Sequence, residues 1–211
     1  MKKKVGMVLA LATAVSLLAG CGTKDTGAGG KGKSVEALDE ITLAFVGPQT
    51  GDNAEYGKSM KIAAQIAIDE WNEKGGVIGK TVRLIDYDDA NSSEQAASIA
   101  EKIVGDASVS AVLGHFSSGV AMTAGEVFQE SGIALVNGSA AHMDYAKIGD
   151  CIFRNNAIYT TDANTMLQIV EYLGIEKFGI LNPNSDAGIS VTSAIEDMME
   201  RYGDRYAPEL V

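Results

Sequence analysis

From residue 41 to residue 202, apolar positions follow two alternating rhythms. Short runs that are continuously apolar or alternate every second residue predict strands at 41–47 (ITLAFVG), 81–87 (TVRLIDY), 110–113, 133–136, 151–154 and 177–181. Longer stretches with apolar residues three and four apart predict helices at 54–73 and 94–106, a helix opening near Ser118, and helices at 162–173 and 188–202. In the first helix Ile62, Ala63, Ile66, Ala67 and Trp71 are expected to face inward, with Lys61, Asp69, Glu70 and Glu73 on the other side. Gly75 and Gly76 stop it. Ala96, Ile99, Ala100 and Ile103 play the inward part in the second helix. Strand and helix alternating at this pace predict an α/β fold, with a parallel sheet and right-handed crossovers.

The stretch 111–141, AVLGHFSSGVAMTAGEVFQESGIALVNGSAA, organises the rest. Two successive strands in it end in loops of Ser, Gly and Ala. In a parallel sheet such loops lie side by side at the carboxyl ends of the strands, where open α/β sheets bind ligands. The helix that follows Ser117 and Ser118 points its first N–H groups at that crevice, a setting that favours an anion such as a carboxylate. The stretch holds no obvious pair of acid and base or base and nucleophile, so it reads as built to hold a small molecule rather than transform it.

The chain has 211 residues, 46% of them hydrophobic, and a formal charge of −11. That length suits one or two α/β domains. The negative charge argues against nucleic acid as a partner, because phosphate-backbone binding needs clustered Lys and Arg. The first residues form a targeting segment: Lys2, Lys3 and Lys4, then an apolar run at 5–18, then Leu18-Ala19-Gly20-Cys21. The ending resembles the lipobox of bacterial lipoproteins, which implies cleavage before Cys21 and lipid on that residue. An ordinary secretory signal or an N-terminal anchor is the alternative. Residues 22–38 are rich in Gly, Lys, Thr and Ser and read as a flexible tether. With Cys21 lipidated, Cys151 has no partner and reads as a packed free thiol.

Several chemistries fail on spacing. Gly79-Lys80-Thr81 lacks the upstream glycine of a phosphate loop, where Lys74 stands, and runs from helix into strand. No Gly-x-Gly-x-x-Gly follows the first strand, so no dinucleotide cofactor is expected. His115 and His142 are the only histidines and lack converging ligands for a metal. His115 is expected as a hydrogen-bonding loop residue at the cleft edge. Asp86, Asp88 and Asp89 read as a solvated strand end that caps the next helix. Ser117 and Ser118 have no nucleophile elbow around them, so no catalytic residue is assigned.

Three segments carry a family resemblance: 41–96, beginning ITLAFVGPQTGDNAEYGKSMK, then 111–141, then CIFRNNA at 151–157. With TG-x4-YG at 50–57, NEKGGVIGK at 72–80 and the Tyr87-Asp88-Asp89 strand end, they resemble the branched-chain amino-acid binding proteins of ABC importers, which are type I periplasmic binding proteins. The resemblance implies two Rossmann-like lobes with parallel sheets. It also implies capture of an amino acid or related small carboxylate or amide, delivery to ABC permease subunits, and a monomer held at the extracytoplasmic membrane face by lipid on Cys21. The domains it implies are a signal peptide (1–20), a tether (21–39), the first ligand-binding lobe (40–154) and the start of a second lobe (155–211), incomplete beside the longer family pattern. A sensing module of the same fold that reports to a receptor is the alternative. The resemblance makes Ser118 the holder of a ligand carboxylate, Ser139 a backbone contact and Tyr56 an aromatic lining the cleft. Ala141 falls where amino-acid binders carry a threonine and is left with only its backbone N–H, and Ala187 falls where a stacking aromatic is usual. From the residues alone, Ser118 also fits a helix N-cap and Tyr56 also fits surface packing.

Overall fold

A computed structural model describes residues 39–182, 186–202 and 209–210. The leader at 1–20, Cys21 and the tether, but for Asp39, lie outside the described residues. The elements run β1 (Ile41–Gly47), α1 (Ala54–Glu73), β2 (Val82–Asp88), α2 (Ser93–Val104), β3 (Val109–Gly114), α3 (Ser118–Ser131), β4 (Ala134–Asn137) and β5 (Ile152–Arg154). Then come α4 (Tyr159–Tyr172), β6 (Lys177–Phe178), α5 (Asp186–Tyr202) and β7 (Glu209–Leu210). A single 3-10 turn, Tyr145–Lys147, breaks the polar connection before β5.

β1 to β5 form one sheet in the order β2-β1-β3-β4-β5, with every pair parallel. The strand order reverses at β1, so the loops after β1 and β3 diverge at a switch point, where such sheets leave a crevice. β6 and β7 pair in a separate parallel sheet, and α4 packs on α5 through Ala163, Leu167, Ala194, Ile195 and Met198.

Observed boundaries differ from the expected ones by a few residues. Apolar pattern marks inward side chains, whereas strand ends are set by backbone pairing and helix ends by caps. Helix α2 starts early because Ser92, extended at ψ 125°, accepts the Gln95 N–H at 3.4 Å. Helix α4 opens at Tyr159 because Ile158 is extended. Helix α3 ends at Gly132, left-handed at φ 72°. β6 has two residues where 177–181 was expected.

The main core lies between the sheet and α2 and α3. Ala44, Val112, Leu135 and Ile152 from the strands meet Ala100, Ile103, Val120, Ala124 and Phe128 from the helices. Tyr145 is fully buried in the same core, although 144–150 reads as polar, and burial pushes its phenol well above the ordinary value.

Helix α1 corrects the sequence reading. Its buried residues are Gly57 and Ile68, with Ile68 packed against Ile41 and Val82, while Ile62, Ile66 and Trp71 are exposed. Lys61, expected outside, reaches the Asp86 carboxylate at 2.7 Å and the Gln49 side chain at 3.3 Å. Asn72 exchanges two hydrogen bonds with the Val82 backbone, both at 2.8 Å. These polar anchors turn the helix so that its more apolar stripe faces away from the sheet.

Two glycines clamp the carboxyl end of β1. A Cβ on Gly57 would sit 1.7 Å from the Pro48 carbonyl oxygen, and one on Gly114 would sit 1.9 Å from that of Val46. Gly114 also has φ +135°, a conformation that L side chains rarely adopt.

Candidate ligand-binding site

A cleft of about 560 Å3 opens at the carboxyl ends of the strands. Asn53 from the β1 loop, Asn91 and Ser93 after β2, Phe116, Ser117 and Ser118 at the start of α3, and Ser139 after β4 line one side. Val120 of α3, Tyr159 of α4 and Ala187 of α5 complete the lining.

Ser117 is the N-cap of α3, extended at ψ 146°, yet its side chain makes no capping bond. Ser118 is the first helical residue, and the first intrahelical bond runs from the Ala121 N–H to the Ser117 carbonyl at 2.9 Å. The N–H groups of Ser118, Gly119 and Val120 therefore have no carbonyl partner within the helix and face the helix N-terminal side. The positive end of the helix dipole lies at the same place.

The Ser118 side chain is buried, and its Oγ accepts the Ala141 N–H at 3.2 Å and the His142 N–H at 3.3 Å. With both lone-pair directions used, its hydroxyl proton is left to donate. The Ala141 N–H expected to face a ligand is thus taken up by Ser118, and Ala141 itself is buried. Ser139 lines the cleft; its N–H goes to Asn137 at 2.6 Å and its carbonyl accepts from Asn156 at 3.1 Å. Tyr56 lies beside the cleft, 59% exposed, stacked on Phe116 with ring centroids 4.7 Å apart and planes 15° apart.

The aspartate run divides into three separate roles. Asp86 pairs with Lys61, and that hydrogen bond holds its carboxyl below the usual range. Burial works against ionisation of Asp88, but donors from Gln49, Thr50 and Ala90 outweigh it and hold its carboxyl low. Asp89 is fully buried rather than solvated, and its Oδ2 lies 2.7 Å from His115 Nδ1. His115 is likewise fully buried, behind the cleft edge where it was expected. The next helix is capped by Ser92, not by an aspartate.

Sequence reasoning missed Phe116, Tyr159, Asn53, Asn91 and Asn137. Phe116 sits in the serine loop and was legible as an aromatic flanking the cleft. Asn137 takes two N–H groups of its own loop, those of Ser139 and Ala140, but its third partner, the His115 carbonyl, follows another strand and left no sign nearby.

Among the described residues no group of three His, Cys, Asp or Glu could hold a metal ion, and no helix is long and apolar enough to cross a membrane. Cys151 is a free thiol, raised in pKa by burial and by the Asp150 charge.

A periplasmic binding protein family model matches residues 40–207. The chain belongs to the periplasmic binding protein family. A Leu/Ile/Val-binding protein of Rhizobium johnstonii is 41% identical over 110 residues, covering 52% of this chain and 30% of that protein. A leucine-, isoleucine-, valine-, threonine- and alanine-binding protein of Pseudomonas aeruginosa is 28% identical over 173 residues, covering 81% of this chain and 46% of that one. Among solved structures, the branched-chain amino acid transporter substrate-binding protein LivJ of Streptococcus pneumoniae, in complex with isoleucine, superposes with TM-score 0.72 at 27% identity, covering 82% of this chain and 48% of that chain. This chain thus spans less than half the length of each of these relatives. The α/β architecture with a parallel five-stranded sheet is that of the type I periplasmic binding proteins.

Proposed function

We propose that this chain serves in capturing an amino acid, or a related small carboxylate or amide, outside the cytoplasm and delivering it to the permease of an ABC importer. The observation that carries the reading is the start of α3 at the cleft: unpaired N–H groups, the Ser117 hydroxyl and the remaining Ser118 proton all donate, and donors converging at a helix start select an anion or a carbonyl. Ser118 is the carboxylate holder in this reading, Ser139 a backbone contact through its carbonyl alone, since its N–H is held by Asn137, and Tyr56 the outer wall through Phe116. Ala141 acts indirectly, by orienting the Ser118 hydroxyl. Residues 40–154 form the ligand-binding lobe and 155–211 begin a second, which contributes Tyr159 and Ala187. Lipid on Cys21 anchors the chain to the membrane. No step of this role needs bond-making chemistry, so the reading is that of a carrier rather than an enzyme.

Thermal-shift and calorimetric titration with L-leucine, L-isoleucine and L-valine test the reading. A ligand that binds only the native state raises the melting temperature with concentration. The expected result is such a rise in the wild type and at least about tenfold weaker binding in Ser118→Ala, since a hydrogen bond to a charged group contributes about 1.5–3 kcal/mol. No shift with any of the three, or equal shifts in wild type and variant, would count against it.

A further inference from the structure

We infer that Asp89, His115 and Asn137 form a buried positioning device that holds the two loops of the anion-facing corner in register. The inference rests on the carboxylate-binding reading for its functional meaning, and on geometry for its existence.

Asp89 follows β2 and His115 follows β3, two strands that β1 separates in the sheet. Their 2.7 Å contact therefore passes over the end of β1, and the Asp89 N–H also reaches the Gly47 carbonyl there at 3.4 Å. The other Asp89 oxygen accepts the Asn91 N–H at 2.8 Å, which fixes the loop carrying Asn91 and Ser93. On its far side the His115 carbonyl accepts Asn137 Nδ2 at 2.9 Å. Asn137, also fully buried, then takes the N–H groups of Ser139 and Ala140 on its Oδ1 at 2.6 and 2.5 Å. The Ala141 and His142 N–H groups go to Ser118 Oγ, and Ser118 returns to His115 through Phe116 and Ser117. The hydrogen bonds close a ring through the ends of β3 and β4, with Asp89 tying that ring to β2.

The ring stands in for packing. Of Gly138, Ser139, Ala140 and Ala141 only Ala140 joins the main core, with a single methyl, so directional bonds to a buried acceptor hold most of the loop. Burying a charged or polar pair is no route to stability as such, because well-packed apolar residues often serve as well. What the pair supplies is direction. It sets where the start of α3 and the 138–142 loop stand relative to each other, and hence where the Ser118 proton points.

Backbone amide hydrogen exchange on the 211-residue chain tests this, with His115→Ala, His115→Asn and Asp89→Asn. The side-chain amide of His115→Asn reaches the Nδ1 position, so it can still donate to Asp89. The expected result for His115→Ala is at least tenfold faster exchange at Ser139, Ala140, Ala141 and His142, with the β1 amides of Ala44 and Val46 unchanged. His115→Asn should return those four to within threefold of wild type. Acceleration spread equally over β1, no acceleration at all, or a His115→Asn variant as fast as His115→Ala would overturn the inference. If His115→Ala does not fold, Asp89→Asn decides: it keeps the shape and the acceptor for Asn91, and a threefold or larger rise confined to the same four amides supports the device, while unchanged or uniformly raised exchange sinks it. L-Leucine titration of the same variants separates the two claims. A wild type that does not bind L-leucine removes support for the amino-acid reading, and the exchange pattern still decides the positioning.

Discussion

Two rows of side chains cross four of the five strands, β1, β3, β4 and β5, one residue apart and on opposite faces. Ala44, Val112, Leu135 and Ile152 lie in register on one face and are 0%, 0%, 0% and 3% exposed. Phe45, Leu113, Val136 and Phe153 lie in register on the other. There burial fades along the row, from 1% exposure at Phe45 through half-buried Leu113 and Val136 to 49% at Phe153. The first face is roofed by α2 and α3. The second has α1, which packs on β1 and β2. In β1, β3, β4 and β5 the residues of both rows are apolar, so along these four strands the difference lies in what covers them. A parallel sheet of this kind is normally covered on both sides.

The largest test of that contrast is Phe128→Ala on the roofed face, where the ring is fully buried against the core. Denaturant melts should show a loss of about 3–5 kcal/mol. A loss below about 1 kcal/mol would mean that the two faces are alike. The next effect is electrostatic and belongs to α1. The Lys61 hydrogen bond lowers the folded-state pKa of Asp86, so it contributes stability that is present above the unfolded carboxylate value of about 3.9 and is lost as pH falls through the folded value. Both partners are over a third exposed, so the contribution is under about 1 kcal/mol. Lys61→Met should be slightly less stable than wild type at pH 6, with the gap closing toward pH 2. A gap that widens in acid would reverse the assignment. The smallest effect is expected at Phe153→Ser, on the open face, at no more than about 0.5 kcal/mol in the same melts. A cost of several kcal/mol would show that the open face is packed in solution.

Much of this architecture is written locally. Alternation and apolar runs mark β1 to β5, and Gly132 marks the end of α3 by the left-handed turn only glycine makes freely. The serine loop before α3 is legible too, because a helix start after a strand is a local event. Helix α1 was misread because it carries two apolar stripes, and periodicity cannot say which one meets the sheet. The choice was made by Lys61 and Asn72 bonding residues of β2, and those partners are set by tertiary structure. Asp89 and His115 were misplaced for a similar reason. They are 26 residues apart, and neither flanking segment announces the other. Ala141 shows a third kind of miss: its N–H was expected to be free, and only the fold reveals that Ser118 has claimed it.

The glycine clamp at the end of β1 bears on how this chain can vary. At positions 57 and 114 the obstacle to a side chain is a backbone carbonyl oxygen, which has no rotamer to move aside. In a saturation library scored for folded protein, these two codons should return almost nothing but glycine. Gly51, Gly75 and Gly79, whose added Cβ would meet nothing within 4 Å, should admit asparagine and aspartate at least. Of these, Gly51 lies in the β1 loop that carries Asn53 of the cleft, whereas Gly75 and Gly79 lie before β2 at the opposite end of the sheet; the two positions that press on β1 stay fixed.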